Sequence, residues 1–287
     1  MAWNKEHLFF DQVEPLAEPR LANKDDFVWP EALLASKNSL LLNTENLGFA
    51  AGNNLATRLA LARGEEDVLL LNNDTTVTPH FLEELRQGRL RHPEAALIPQ
   101  IRLYHKPERI WNCGGLLIWP GRKAYNLENA PVARASEMSE IPVSFVTGCA
   151  LLYRPLLTGL LTERFFFGEE DMEFSWRLRR MEMPALCIHT SVIYHKVGQT
   201  LVTNYRKSEI FTLKRLVNLR LNLGGTTAVL GYLFYLTNLF RLLVGRYDMN
   251  PLTAIRRVSR VARRSLNTDK VGGDLCVGYV QGEDHRL

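Results

Sequence analysis

The chain has 287 residues, 46% of them hydrophobic and 23% charged, with a formal net charge of +4. That length holds one large domain or a domain with an appendage, and the composition excludes bulk disorder. The small basic excess sits in arginines of the last third, which points to an anionic partner there and not over the whole surface; no nucleic-acid partner is expected.

Residues 1 to 38 begin with Leu8-Phe9-Phe10-Asp11, a short strand ending in a carboxylate. A Glu-, Asp- and Pro-rich stretch follows, in which Pro15, Pro19 and Pro30 argue against long regular elements. The first residues contain no apolar run of signal-peptide length. Ser39 to Leu42 is a second short apolar run. Asn46 to Asn54, N-L-G-F-A-A-G-N-N, is a turn that opens a helix carrying Leu55, Leu59, Ala60 and Ala62, with Gly64 as its stop. Val68 to Leu71 is unbroken and apolar, as in a strand buried on both faces of a parallel sheet, and it runs into Asn72, Asn73 and Asp74. Ligands of open α/β sheets bind beyond the carboxyl ends of the strands, where Asp74 stands.

Thr78-Pro79 caps a helix reaching about Arg91. Strands are expected at Ala96 to Pro99, Gly114 to Trp119 and Val143 to Val146, with a polar loop from Pro120 to Glu140. Phe165 to Phe167, then Gly168-Glu169-Glu170-Asp171, lead into a helix from Met172 to about Met181; strands at Ala185 to Ile188 and Val192 to His195 follow. This alternation is α/β. From Tyr205 the chain turns to helices rich in leucine and arginine. Leu221 to Phe240 is free of charge over about one bilayer-spanning length, although Asn222, Gly224, Gly225 and Asn238 interrupt its hydrophobicity. Thr253 to Leu266 sets Arg256, Arg257, Arg260, Arg263 and Arg264 among Ile255, Val258, Val261 and Ala262, a basic amphipathic helix suited to an anionic membrane surface. A helical oligomerisation surface is the alternative. Cys113, Cys149, Cys187 and Cys276 form no C-x-x-C pair and read as reduced buried thiols.

Asp74 with Asn72 supplies oxygen donors of the kind that Mg²⁺ or Mn²⁺ takes together with substrate phosphates; a plain strand-to-loop turn is the alternative. Glu169, Glu170 and Asp171 lie beside an aromatic wall, where burial and like charge can raise a carboxylate toward a general base; a solvated, acid-rich helix start is the alternative. His195 is a metal ligand or a core histidine. Arg177 binds phosphate or forms a structural ion pair.

Together these stretches resemble the family 2 inverting glycosyltransferases, most closely their bacterial rhamnosyltransferase-like branch. The resemblance runs through N-L-G-F-A-A-G-N-N, L-L-L-N-N-D-T-T-V, W-N-C-G-G at 111 to 115, F-V-T-G-C-A-L-L-Y-R at 145 to 154, F-F-F-G-E-E-D-M-E-F-S-W-R-L-R-R at 165 to 180 and V-I-Y-H-K-V at 192 to 197. The helices of residues 216 to 287 are expected to form a membrane-associated region, and the resemblance implies a GT-A fold (Rossmann-like, with a mostly parallel sheet) over residues 1 to 215 before them. It also implies a nucleotide-sugar donor and Mg²⁺ or Mn²⁺. Asp74 then anchors the metal with Asn72 and His195. Asn46, Gly48, Asn73 and Arg177 bind the nucleotide sugar, and Gly148 lies at the donor–acceptor junction. Glu170 and Asp171 form the catalytic pair, with Asp171 as base. Relatives begin with a strand ending in Y-N, unmatched here, and a second whose aspartate reads the base. Asp11 is the residue that fits the latter, so residues 1 to 38 are expected to be divergent or truncated. The expected activity is inverting transfer of rhamnose or another deoxyhexose to a cell-envelope glycan or lipid-linked acceptor, on the cytoplasmic side of the membrane in a peripheral or monotopic protein. A sugar-nucleotidyltransferase would want a Gly-rich basic loop near the N-terminus, which is missing. A catalytically silent GT-A-like scaffold is the other alternative.

Overall fold

The computed structural model describes residues 12–15, 29, 31–35, 38–43, 45–136, 138, 140–196 and 204–281. Asp11 and the expected strand from Leu8 lie outside the described residues. In chain order the elements are β1 (Gln12–Pro15), α1 (Glu31–Ala35), β2 (Ser39–Leu42), α2 (Phe49–Ala62), β3 (Val68–Leu71), β4 (Thr75–Val77), α3 (Phe81–Arg91), β5 (Ala96–Leu103) and β6 (Lys106–Asn112). Next come β7 (Gly115–Ile118), β8 (Arg122–Tyr125), α4 (Ala133–Ser136), β9 (Ile141–Pro142), β10 (Ala150–Tyr153), α5 (Pro155–Thr158), α6 (Glu170–Arg180) and β11 (Ala185–His195). Three long helices follow, α7 (Tyr205–Asn222), α8 (Gly225–Gly245) and α9 (Pro251–Leu266).

The α/β class is as expected. The main sheet runs β3-β10-β5-β11-β4, with β6 on β5 and β9 on β11. It is mixed: β3, β5 and β11 share one direction, while β10 lies antiparallel between β3 and β5 and the shorter strands run against their neighbours. An unbroken apolar run reports burial on both faces but not strand direction. β5 is the central strand, and Leu97, Ile98 and Ile101 within it are fully buried. Ile98 faces Ala50, Leu151, Phe174 and Cys187 on one side of the sheet, while Leu97 and Ile101 meet Phe81, Leu85 and Ile193 on the other. β1 and β2 pair in parallel as a separate two-stranded sheet.

Several local expectations shift. Val143 to Val146 is not a strand: Phe145 makes an isolated bridge to Gly115, Val146 N–H donates to Ser175 Oγ at 3.0 Å, and the strand is Ala150–Tyr153. Helix α3 starts at Phe81, and the Thr78 hydroxyl donates to the Val192 carbonyl instead of capping it. The expected uncharged span from Leu221 to Phe240 is broken. Helix α7 ends at Asn222, Gly225 takes φ +58°, and α8 continues past Arg241 to Gly245. By length and composition alone, α8 is the described helix that could cross a membrane.

The boundary expected between 215 and 216 falls inside α7. Leu213, Leu216, Val217 and Leu219 of that helix share one buried cluster with Phe145, Phe165, Met172 and Trp176 from the α/β part, and with Leu239, Leu243 and Val261 of α8 and α9. The helical region is therefore continuous with the α/β core. All four cysteines are free and buried, and burial, with Asp74 nearby, pushes the Cys149 thiol up to about 12. Buried neutral thiols are what their spacing implied.

Candidate active site

Strand β3 delivers the chain to Asn72, whose N–H continues the ladder by donating to the Cys149 carbonyl at 2.9 Å. Thr75 Oγ1 donates to the Asn72 carbonyl at 2.6 Å and closes the turn, leaving Asn73 exposed at its tip. The chain then enters β4, antiparallel to the end of β11 with Thr75 opposite His195. That register carries His195 back to the turn, where its Nε2 lies 3.1 Å from Asp74 Oδ2. The Trp111 indole packs on the imidazole, 4.8 Å between ring centroids. Asp74 Oδ1 and His195 Nδ1 are buried without a partner among the described residues. Among the described residues no three His, Cys, Asp or Glu side chains gather as a metal site. An uncommitted carboxylate oxygen beside an imidazole still fits a Mg²⁺ or Mn²⁺ ion that takes its other ligands from phosphate and water.

The acidic segment is built by the chain before it. Phe166 N–H donates to Val271 O at 3.0 Å, and Phe49 N–H donates to Phe166 O at 2.9 Å. This seats the Asn46–Phe49 turn on the phenylalanines. Asn46 Oδ1 accepts from Gly48 N–H at 3.0 Å, and Gly48 takes φ +82° with Phe166 O only 2.3 Å from where a Cβ would stand, so no side chain fits. Gly148 lies against the Phe49 ring, which its Cβ would meet at 3.0 Å. Asn46, Gly48 and Gly148 thus converge on one loop cluster.

Two consecutive left-handed residues, Gly168 (φ +76°) and Glu169 (φ +85°), turn the chain into α6 and send the Glu169 side chain inward. Arg215 of α7 donates Nε to both Glu169 oxygens, at 2.7 and 2.9 Å. Asn218 Nδ2 reaches Glu169 Oε2 at 3.0 Å and its carbonyl at 3.1 Å, and Lys214 Nζ donates to the Phe167 carbonyl. Arg215 Nη1 goes on to the Gly121 carbonyl at 3.1 Å and the Tyr235 hydroxyl at 2.7 Å. The first acid of the triplet is a structural anchor, and only an arginine and an asparagine in a leucine-rich helix hinted at it.

The next two acids differ in access. Glu170, expected to share the catalytic role, is buried, and its Oε2 has no partner among the described residues. Burial, then the adjacent Asp171 charge, pushes its carboxyl up to about 8. Asp171 keeps 18% side-chain exposure; its Oδ1 accepts from Met172 N–H at 2.8 Å and its Oδ2 lies 3.2 Å from Lys123 Nζ. Burial acts most strongly, against the Lys123 charge, but Asp171, Tyr125 and Glu169 together outweigh it and raise the ammonium above its ordinary range. Lys123 also sits 4.0 Å above the Phe145 ring. Asp171 is the more accessible of the two acids.

Because folding raises the Glu170 pKa, its contribution to stability is complete below about 4.5 and is lost as pH rises toward about 8. Glu170→Gln is expected to match the native chain at pH 5 and exceed its stability at pH 8 by on the order of a few kcal/mol. Urea melts at the two pH values check this; parallel pH slopes for both chains would contradict it.

A line of side chains joins the two acidic centres. From Asp74 and His195 it passes to Trp111, then to Tyr125 at 5.8 Å, over which Lys123 Nζ stands at 5.3 Å, and so to Asp171. Trp111 was visible only as part of W-N-C-G-G, and Lys123 and Tyr125 gave no sequence signal. Arg177, expected at phosphate, is committed elsewhere. It pairs with Glu173 at 2.8 Å and donates to the Thr158 and Leu160 carbonyls at 2.7 and 2.8 Å, so the structural ion pair is the reading that holds.

The fold and these centres define an α/β protein with a loop-built acidic site beyond the carboxyl ends of β3 and β11. No family model matches the chain, and no curated protein matches it in sequence. Among solved structures, one of GalNAc-T7 with UDP, GalNAc and Mn²⁺ is similar over 63% of this chain, at 10% identity and a TM-score of 0.45. The match spans 36% of that protein's chain.

Proposed function

We propose that the protein is a metal-dependent, inverting glycosyltransferase that uses a nucleotide-sugar donor. The observation that carries this reading is the aromatic and lysine line joining the Asp74–His195 pair to Asp171. Asp74 and His195, with Asn72 at the head of the turn, would hold Mg²⁺ or Mn²⁺. When bound, the ion offsets the negative charge that grows on the departing nucleoside diphosphate. Asn46, Gly48 and Asn73 line the nucleotide side, and Gly148 lies where donor and acceptor meet. Asp171 Oδ2 accepts the proton of the acceptor hydroxyl as its oxygen bonds to the anomeric carbon, and the bond from that carbon to the diphosphate oxygen breaks on the opposite face. Lys123, 3.2 Å from Oδ2, holds the carboxylate aimed. Holding both sugars in line supplies much of the rate.

The motifs of the sequence support the finer reading: a rhamnose or other deoxyhexose passes to a cell-envelope glycan or lipid-linked acceptor. The arginines of α9 hold the protein on the anionic cytoplasmic face of the membrane, without nucleic acid. A second reading, a catalytically silent scaffold, is favoured by one observation: among the described residues β1 and β2 stand apart from the seven-stranded sheet.

Nucleoside diphosphate release from a panel of sugar nucleotides, with Mn²⁺ and with chelator, separates the two. Asp74→Ala is expected to lower release more than about 100-fold, beyond the cost of losing an outer-shell partner, and to weaken Mn²⁺ binding measured by titration calorimetry. Should no donor bind or turn over, and Asp74→Ala leave Mn²⁺ binding unchanged, the scaffold reading stands.

A further inference from the structure

The β7–β8 hairpin is a two-stranded ribbon with unlike faces. Leu117, Lys123 and Tyr125 alternate inward, and Lys123 reaches Asp171. Leu116 and Ile118 alternate outward and are exposed, and Trp119 at the turn is 62% exposed. The turn is seated on α8: the Pro120 carbonyl lies 2.9 Å from where a Cβ on Gly231 would stand, the Tyr235 hydroxyl donates to the Gly121 carbonyl at 3.3 Å, and the Arg122 guanidinium covers the Phe234 ring at 4.8 Å. Beside that contact the first half of α8 exposes Val229 (59%), Leu230 and Leu233 (56%). Six large exposed apolar side chains from two distant segments thus gather around one hairpin–helix contact, a cluster where singly scattered exposed residues would need no explanation.

The charge around this surface selects its occupant. From Leu216 to Arg264 the chain carries eight arginines and one acid, Asp248. Arg122 stands beside these apolar residues, Arg241 is exposed further along α8 and Arg246 just past its end, and Arg256, Arg260, Arg263 and Arg264 are exposed on α9. Tryptophan at an apolar edge with arginines around it suits the boundary between lipid headgroups and acyl chains. We propose that the outer face and tip of the β7–β8 hairpin, together with the first half of α8, dock on an anionic lipid bilayer. The protein then lies on the membrane through a built surface, in addition to the arginines of α9, with Asp171 directly behind the hairpin that touches lipid. The proposal rests on the membrane reading for its partner but not on the transferase chemistry.

Co-flotation of the full chain with vesicles of phosphatidylcholine, with and without phosphatidylglycerol, tests it. The native chain is expected to bind the mixed vesicles, and Trp119→Asp with Leu233→Asp to lower binding at least about tenfold at an unchanged melting temperature. Ile118→Asp alone serves if the double variant fails to fold. An Arg260→Glu, Arg263→Glu, Arg264→Glu variant separates the two readings. If it loses binding while the apolar variants keep it, the membrane reading survives and the docking surface is overturned. If the native chain binds no vesicle, both are overturned. If it dimerises without lipid and Leu233→Asp abolishes the dimer, the surface belongs to a second copy and the proposal fails.

Discussion

Asp171→Asn is expected to lower sugar transfer by about 10²–10⁴-fold, the range a positioned general base supplies, with little change in donor affinity. The substitution is nearly isosteric. An asparagine oxygen can still accept from Met172 N–H, as Asp171 Oδ1 does at 2.8 Å, so the start of α6 is kept. What is lost is the second oxygen, 3.2 Å from Lys123 Nζ, and with it the proton acceptor. The loss should therefore fall on kcat and not on KM for the donor. Steady-state kinetics with donor and acceptor, beside a thermal melt, provide the check. Unaltered kcat in a folded variant would remove Asp171 from the mechanism.

Arg215→Met is expected to destabilise the chain by about 3–5 kcal/mol, because it strips the cation from a carboxylate that has nowhere else to go. Both side chains of the Glu169–Arg215 pair are 2% exposed, and the arginine also satisfies the Gly121 carbonyl and the Tyr235 hydroxyl. Such a loss is a large part of the roughly 5–15 kcal/mol that holds an ordinary domain folded. The same contact fixes Glu169 in its left-handed conformation, two residues before Asp171, so native variant molecules should also lose activity. Glu169→Gln on the Arg215→Met background should recover part of the stability by removing the stranded charge. Urea melts of the single and double variants measure both effects; a single-variant loss below about 0.5 kcal/mol, the ordinary range for surface changes, would show that the pair is not a clamp.

What could be read from the sequence divides along physical lines. Val68–Leu71, α6 and α9 were visible because burial imposes a period or an unbroken apolar run on a single stretch. The antiparallel insertion of β10 was not, since strand direction leaves no mark on local composition. Hydropathy saw Leu221 to Phe240 as continuous because averaging hides the backbone turn at Gly225. In the site, Asp74, His195 and Asp171 were legible through motifs, and Asn46, Gly48 and Gly148 fell into one cluster. Lys123 and Trp111 reach the site only through hairpin pairing and sheet register, which no window of sequence contains. Glu170 and Arg177 have the chemistry of site residues, but their surroundings, a buried helix start and a neighbouring glutamate, give them other work.

The grip of α7 on Glu169 also sets the unit in which this protein can be recombined. A hybrid joined at residue 215 or 216 would place the segment 165–171 from one parent against Asn218 and the leucines of another, and the second half of the clamp would be foreign. The stretch from Phe165 to α9 must travel together, so a hybrid has its natural seam before Phe165. Inheritance of the helical tail is then inheritance of the acidic loop.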